Sequence, residues 1–95
     1  MTAIYSEEAE QDLEDIWLYI AGNNPSAATE FVYKIKNACD VLLAENPKVG
    51  KERNDLVEGL RQFSVQKRLI FYRIHAENIE IVRIFHGSQD IDAQF

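Results

Sequence analysis

The stretch "GLRQFSVQKRLIFYRIHAENIEIVRIFHG" (Gly59–Gly87) decides the fold. Three runs rich in β-branched and aromatic residues, Leu60–Gln66, Arg68–His75 and Ile79–His86, read as consecutive strands. Ala76-Glu77-Asn78 has the length of a hairpin turn. Side chains alternate between the faces of a strand. Strict alternation puts Leu69, Phe71 and Arg73 on one face and Ile70, Tyr72 and Ile74 on the other. In the third strand, Ile81, Arg83 and Phe85 oppose Val82, Ile84 and His86. Neither face is polar throughout, whereas a solvated antiparallel face carries polar residues at every second position. The sheet is therefore expected to have two apolar faces. The face away from its own helices is then a candidate binding surface.

What precedes the strands supplies cover for one face only. Thr2–Ser6 reads as a short first strand, and Ser6 then caps a helix whose first turn holds Glu7 and Glu8. Ala9, Leu13, Ile16, Trp17 and Ile20 form its apolar arc, and Glu10, Glu14 and Asp15 its wet side. Trp17 is expected in the core between helix and sheet. Gly22 is expected as a left-handed helix terminator, with Asn24 capping a second helix and Pro25 in its first turn. Ala28, Phe31, Val32, Ile35, Cys39, Leu42 and Leu43 share one side of that helix, and Asn46-Pro47 stops it. The short connection makes the two helices an antiparallel hairpin. Asn46–Gly59 reads as an ordered loop with at most one helical turn.

A chain of 95 residues fits one domain over 1–95. No apolar run approaches the ~18 residues that span a bilayer, and no signal peptide is legible. Cys39 is the only cysteine, so no internal disulfide forms; the expectation is a bacterial cytoplasmic protein. One cysteine and two dispersed histidines give no metal site, and no cofactor motif is present. The net charge of −6 argues against general nucleic-acid affinity and is unevenly placed. Residues 1–46 carry −7, residues 47–83 carry +3, and the rest carry −2.

The order of elements, together with "DLEDIWLYIA" (Asp12–Ala21), "NNPSAATEF" (Asn23–Phe31), "GLRQFSV" (Gly59–Val65), "LIFYRI" (Leu69–Ile74) and "IEIVRIFHGSQDI" (Ile79–Ile91), resembles the RelE/ParE superfamily of bacterial toxins, most of all its ParE branch. The resemblance implies an α+β fold, β-α-α-β-β-β, with the helical hairpin packed on one face of a small antiparallel sheet. It also implies the toxin half of a type II toxin–antitoxin (plasmid stabilisation) module. A ParD-like antitoxin would neutralise it, in pairs assembled through an antitoxin dimer, and DNA gyrase would be its target. The RelE branch instead cuts messenger RNA on the ribosome.

Chemistry separates the two branches. Cutting RNA needs a base, an acid and cations around the phosphate. Arg61, Lys67, Arg73 and Arg83 are candidates for the cations, and His86 for the acid or base. The segment after His86, "GSQDIDAQF", has two acids and no Tyr, Lys, Arg or His, which disfavours a phosphate-binding surface. The expectation is a gyrase poison with no catalytic residues and no membrane or sequence-specific nucleic-acid partner. Arg61, Arg73, Arg83 and His86 are its candidate polar contacts to antitoxin or target, and Leu69, Phe71, Ile81 and Phe85 the apolar floor for an antitoxin segment. Arg73 and Arg83 have a second reading as ion pairs with acids of the N-terminal half, and His86 as a hydrogen-bonded strand end. Arg68 departs from the aromatic residue common in relatives and adds positive charge to the surface.

Overall fold

A computed structural model describes all 95 residues. The chain runs β1 (Thr2–Tyr5), α1 (Glu7–Ala21), α2 (Pro25–Asn37), a π-helical continuation of α2 (Ala38–Leu43), β2 (Lys51–Glu52), β3 (Leu60–Val65), β4 (Arg68–Ile74), β5 (Asn78–His86) and α3 (Ile91–Gln94). The strands form one sheet in the order β1-β5-β4-β3-β2. The expected α+β architecture is present with two amendments. The sheet is mixed, since β1 lies parallel to β5. The polar loop also contains β2, two residues that pair with Arg61 and Gln62 of β3.

Local chemistry sets the element ends. Ser6 Oγ accepts the Ala9 N–H at 3.0 Å and donates to the Val82 carbonyl at 2.8 Å, so one hydroxyl caps α1 and ties its start to β5. Asn24 caps α2 through the Ala27 N–H, ahead of Pro25. Gly22 does not take the left-handed conformation: its φ is −55°, and its N–H stays bonded to the Leu18 carbonyl. Trp17 is half-buried, and its indole N–H donates to Thr29 Oγ1, so it joins the two helices instead of entering the main core.

The main core lies between the hairpin and the sheet. Leu13 and Ile16 of α1, Ile35 of α2, and Cys39 and Leu43 of the π-helical turn meet Ile70, Tyr72, Ile79, Ile81 and Ile84. Ile81 and Ile84 both face the helices, which strict alternation forbids. A β-bulge explains it. Phe71 pairs with Arg83 while Tyr72 pairs with Ile81, so Val82 is the extra residue and the pattern shifts there. Ile81, expected on the far face, is instead fully buried against the helices.

The far face is not open. Leu60, Phe71 and Phe85 are buried there beneath Leu56 and Val57 of the loop and Ile91 of α3. The Phe95 ring completes the cover, 5.1 Å from Phe71 and 5.9 Å from Phe85 between centroids. The expected apolar floor of Leu69, Phe71, Ile81 and Phe85 is thus divided and closed. Only Leu69 retains partial exposure, at the margin of this smaller core.

Candidate functional site

The fold disperses the candidate arginines. Arg61 pairs in register with Tyr72, so it projects on the helix side of the sheet. Its guanidinium donates to the Gly50 carbonyl at 2.7 Å and the Lys48 carbonyl at 3.2 Å, and it meets Glu52 at 3.3 Å. Tyr72 works on the same loop. Its hydroxyl donates to the Pro47 carbonyl at 2.7 Å and accepts the Gly50 N–H at 2.9 Å. Burial pushes the Tyr72 phenol up from its usual pKa. Arg61 and Tyr72 together pin residues 47–52 to the sheet.

Arg83 is matched by an acid of the N-terminal half. Asp12 of α1 accepts from Arg83 Nε at 2.9 Å and from Nη2 at 3.0 Å, a two-pronged pair. The same carboxylate accepts the Ile84 N–H at 2.8 Å, beyond the end of the β1–β5 ladder. Its hydrogen bonds hold the Arg83 pKa above its usual value. The guanidinium also lies 4.4 Å from the Phe85 ring centroid. Asp12 was missed in the sequence, although a signal exists. It stands three residues after Ala9 and four before Ile16, on the edge of the buried stripe of α1.

Arg73 lies on the far face, opposite Leu60 and Glu80 in register. Its Nε is buried without a partner, while Glu80 engages His75 at 3.0 Å. Lys67 is exposed in the β3–β4 turn. His86 closes β5 in a tight polar turn: Gln89 Oε1 accepts its backbone N–H, and its Nδ1 accepts the Ser88 N–H at 3.1 Å and lies 2.6 Å from Ser88 Oγ.

One concave feature collects several of these groups. A groove of about 620 Å³ runs between α1 and the end of β5, lined by Asp12, Asp15, Tyr19, Arg68, Arg83 and His86 among others. It holds both signs of charge, with Arg83 already neutralised by Asp12. No group of three or more His, Cys, Asp or Glu side chains is placed to hold a metal ion.

Residues 3–91 match the family model described as the ParE toxin of the type II toxin–antitoxin system parDE. The chain belongs to the ParE toxin family. Among curated ParE relatives, Toxin ParE3 of Caulobacter vibrioides is 33% identical over 84 residues, covering 87% of this chain and 83% of that protein. Toxin ParE1 of Mycobacterium tuberculosis is 29% identical over 91 residues, covering 94% and 92%. The ParE fold is equally clear in solved structures. A chain of the chromosomal ParDE toxin–antitoxin system from P. aeruginosa superposes with a TM-score of 0.69 at 22% identity, covering 90% of this chain and 95% of that one. A chain of the RelBE2 toxin–antitoxin complex from Mycobacterium tuberculosis gives the same TM-score at 20% identity, with the same coverage. The chain is thus a toxin-family protein of type II toxin–antitoxin systems. No helix is long and apolar enough to cross a membrane.

Proposed function

We propose that this ParE-family chain inhibits DNA gyrase by binding it, and that a ParD-like antitoxin neutralises it. The observation that carries the reading is the dispersal of the arginines. A phosphodiester-cleaving site needs cations converging on one phosphate next to an acid and a base. Arg61 is spent on loop carbonyls and Glu52, on the other side of the sheet from Arg73, and Arg83 is spent on Asp12. Lys67 and Arg68, beside His86, stay outside the ion pairs, with Asp15 in the adjoining groove, and this mixture of charges supports a protein contact over a phosphate site. ParDE and RelBE2 are the named complexes that share this fold, which supports an antitoxin as partner. Of the candidate contacts, Arg61, Leu69, Arg73, Arg83 and His86 keep partial exposure and stay in the proposal. Phe71, Ile81 and Phe85 are buried and act through folding.

The test uses two reactions with the purified chain. In the first, gyrase, supercoiled plasmid and ATP are incubated with it, then treated with detergent and protease. Linear plasmid is the expected product, and prior addition of the co-encoded antitoxin removes it. In the second, a translating ribosome mixture is probed for codon-specific mRNA cuts. Cuts there, with no effect on gyrase, overturn the reading.

A further inference from the structure

Arg68 and Arg73 stand outside the four ion pairs of the chain, which use Arg53, Arg61, His75 and Arg83, and of the two only Arg68 lines the groove against α1. Its guanidinium carbon lies 5.8 Å from the Phe31 ring centroid of α2, so it is oriented by an aromatic neighbour without being neutralised. Burial depresses its pKa, a mark of partial loss of water. A desolvated, pre-oriented guanidinium fork is suited to take a carboxylate with two hydrogen bonds.

His86 is its direct neighbour. Arg68 opens β4, His86 closes β5, and the two are partners in register, so their side chains share a face. The Ser88 N–H donates to His86 Nδ1, which leaves the ring hydrogen on Nε2. Nε2 has no partner within the chain, so the corner offers a second donor beside the guanidinium. Both residues line the groove against α1, and both line an adjoining hollow of about 340 Å³ with Ile20, Phe31, Gln66 and Lys67. Gln66 holds the turn there at φ 55°, a left-handed conformation uncommon outside glycine and asparagine.

The surroundings select among anions. Asp15 lines the same groove, and the chain carries −6 overall, which disfavours a nucleic-acid backbone with its row of phosphates. A single carboxylate meets no such row, and Ile20 and Phe31 give its apolar neighbours a surface to pack on. We infer that Arg68 and His86 form a carboxylate-binding subsite for an Asp or Glu side chain of the antitoxin peptide. The antitoxin as donor of that carboxylate rests on the function proposed above.

Calorimetry with the co-encoded antitoxin is the first arm of the test. Arg68→Gln is expected to weaken binding about tenfold, with Arg68→Lys intermediate, and to flatten the salt dependence of the affinity. Equal affinity of wild type and Arg68→Gln overturns the subsite and leaves the antitoxin reading standing. Absence of binding by the wild type overturns the antitoxin reading. The subsite is then decided by the second arm, NMR titration of the chain alone with a blocked Leu-Glu-Leu tripeptide. Saturable shifts of the Arg68 Nε–H and His86 ring signals, lost in Arg68→Gln, uphold it. No shift overturns it, as do shifts produced by a single-stranded oligonucleotide and not by the tripeptide.

Discussion

Replacing Asp12 by Ala removes the acceptor for Arg83 Nε, Arg83 Nη2 and the Ile84 N–H at once. A buried backbone donor left unpaired costs roughly 1–3 kcal/mol. Stranding one partner of a fully buried ion pair costs about 3–5 kcal/mol. Here the Arg83 and Asp12 side chains are 28% and 12% exposed, so water screens and partly rehydrates the guanidinium. That share falls to about 1–2 kcal/mol, and the whole substitution to about 3 kcal/mol. A domain of this size holds on the order of 5–14 kcal/mol in total. Urea unfolding followed by circular dichroism is therefore expected to show a much lower midpoint with an unchanged slope, and the thermal midpoint to fall by about 15 °C. Asp12→Asn keeps one oxygen for the Ile84 N–H but loses the charge and sets an amide NH2 against the Arg83 fork, so it is expected to cost about 1–2 kcal/mol, less than Asp12→Ala. Arg83→Met and the double variant complete a cycle, with an expected coupling of about 1–2 kcal/mol. A loss below ~0.5 kcal/mol for Asp12→Ala, within the range of ordinary surface changes, or additive behaviour in the cycle, refutes the structural role given to Arg83.

Three further outcomes test other parts of the molecule. A Cβ at position 50 falls 2.8 Å from Tyr72 Cε1 and 2.9 Å from the Gln62 carbonyl, with the Tyr72 hydroxyl against it as well. Gly50→Ala is therefore expected to destabilise by about 2 kcal/mol or more, with faster amide exchange at residues 48–52; native-like stability and exchange contradict the clamp. Phe95→Ala uncovers Phe71 and Phe85; since Phe95 is itself 37% exposed, the expected cost is about 1–2 kcal/mol with raised binding of an apolar dye, and an unchanged dye signal argues against the cover. Cys39 holds its proton in the folded state up to about 12, because burial penalises the thiolate. Between the unfolded thiol value of about 8.5 and that pKa the folded state binds the extra proton, so stability is intact below the window and falls by up to ~1.4 kcal/mol per pH unit across it. Cys39→Ala is expected to show a shallower alkaline decline than wild type, and parallel curves contradict the assignment.

Much of this architecture is written locally in the chain. Ser6 and Asn24 cap where their side chains and following residues predict, and the strands of the Gly59–Gly87 stretch fall within two residues of their expected ends. Those features depend on near neighbours and on simple periods. The errors share a cause, which is that they depend on partners distant in sequence. The bulge at Val82 moves Ile81 to the helix side, and no single strand shows in advance where its neighbour will skip a residue. The two-residue β2 is too short for a periodic signal and exists through its pairing with Arg61 and Gln62. The cover over Phe71 and Phe85 comes from Leu56, Val57, Ile91 and Phe95, isolated apolar residues in polar segments. Arg83 was legible as either a contact or an ion pair, and the acid that supplies the pair, Asp12, lies 71 residues away.

The proposed inhibition of gyrase by occupancy, without turnover, fixes how the effect depends on dose. The most direct measurement titrates the chain against a fixed concentration of gyrase and quantifies linearised plasmid. Linear product that rises with the toxin-to-gyrase ratio, saturates near stoichiometry and disappears when the co-encoded antitoxin is added first is the predicted result. An excess of folded chain that leaves the plasmid intact, while trace amounts of it cleave mRNA on translating ribosomes, contradicts the claim.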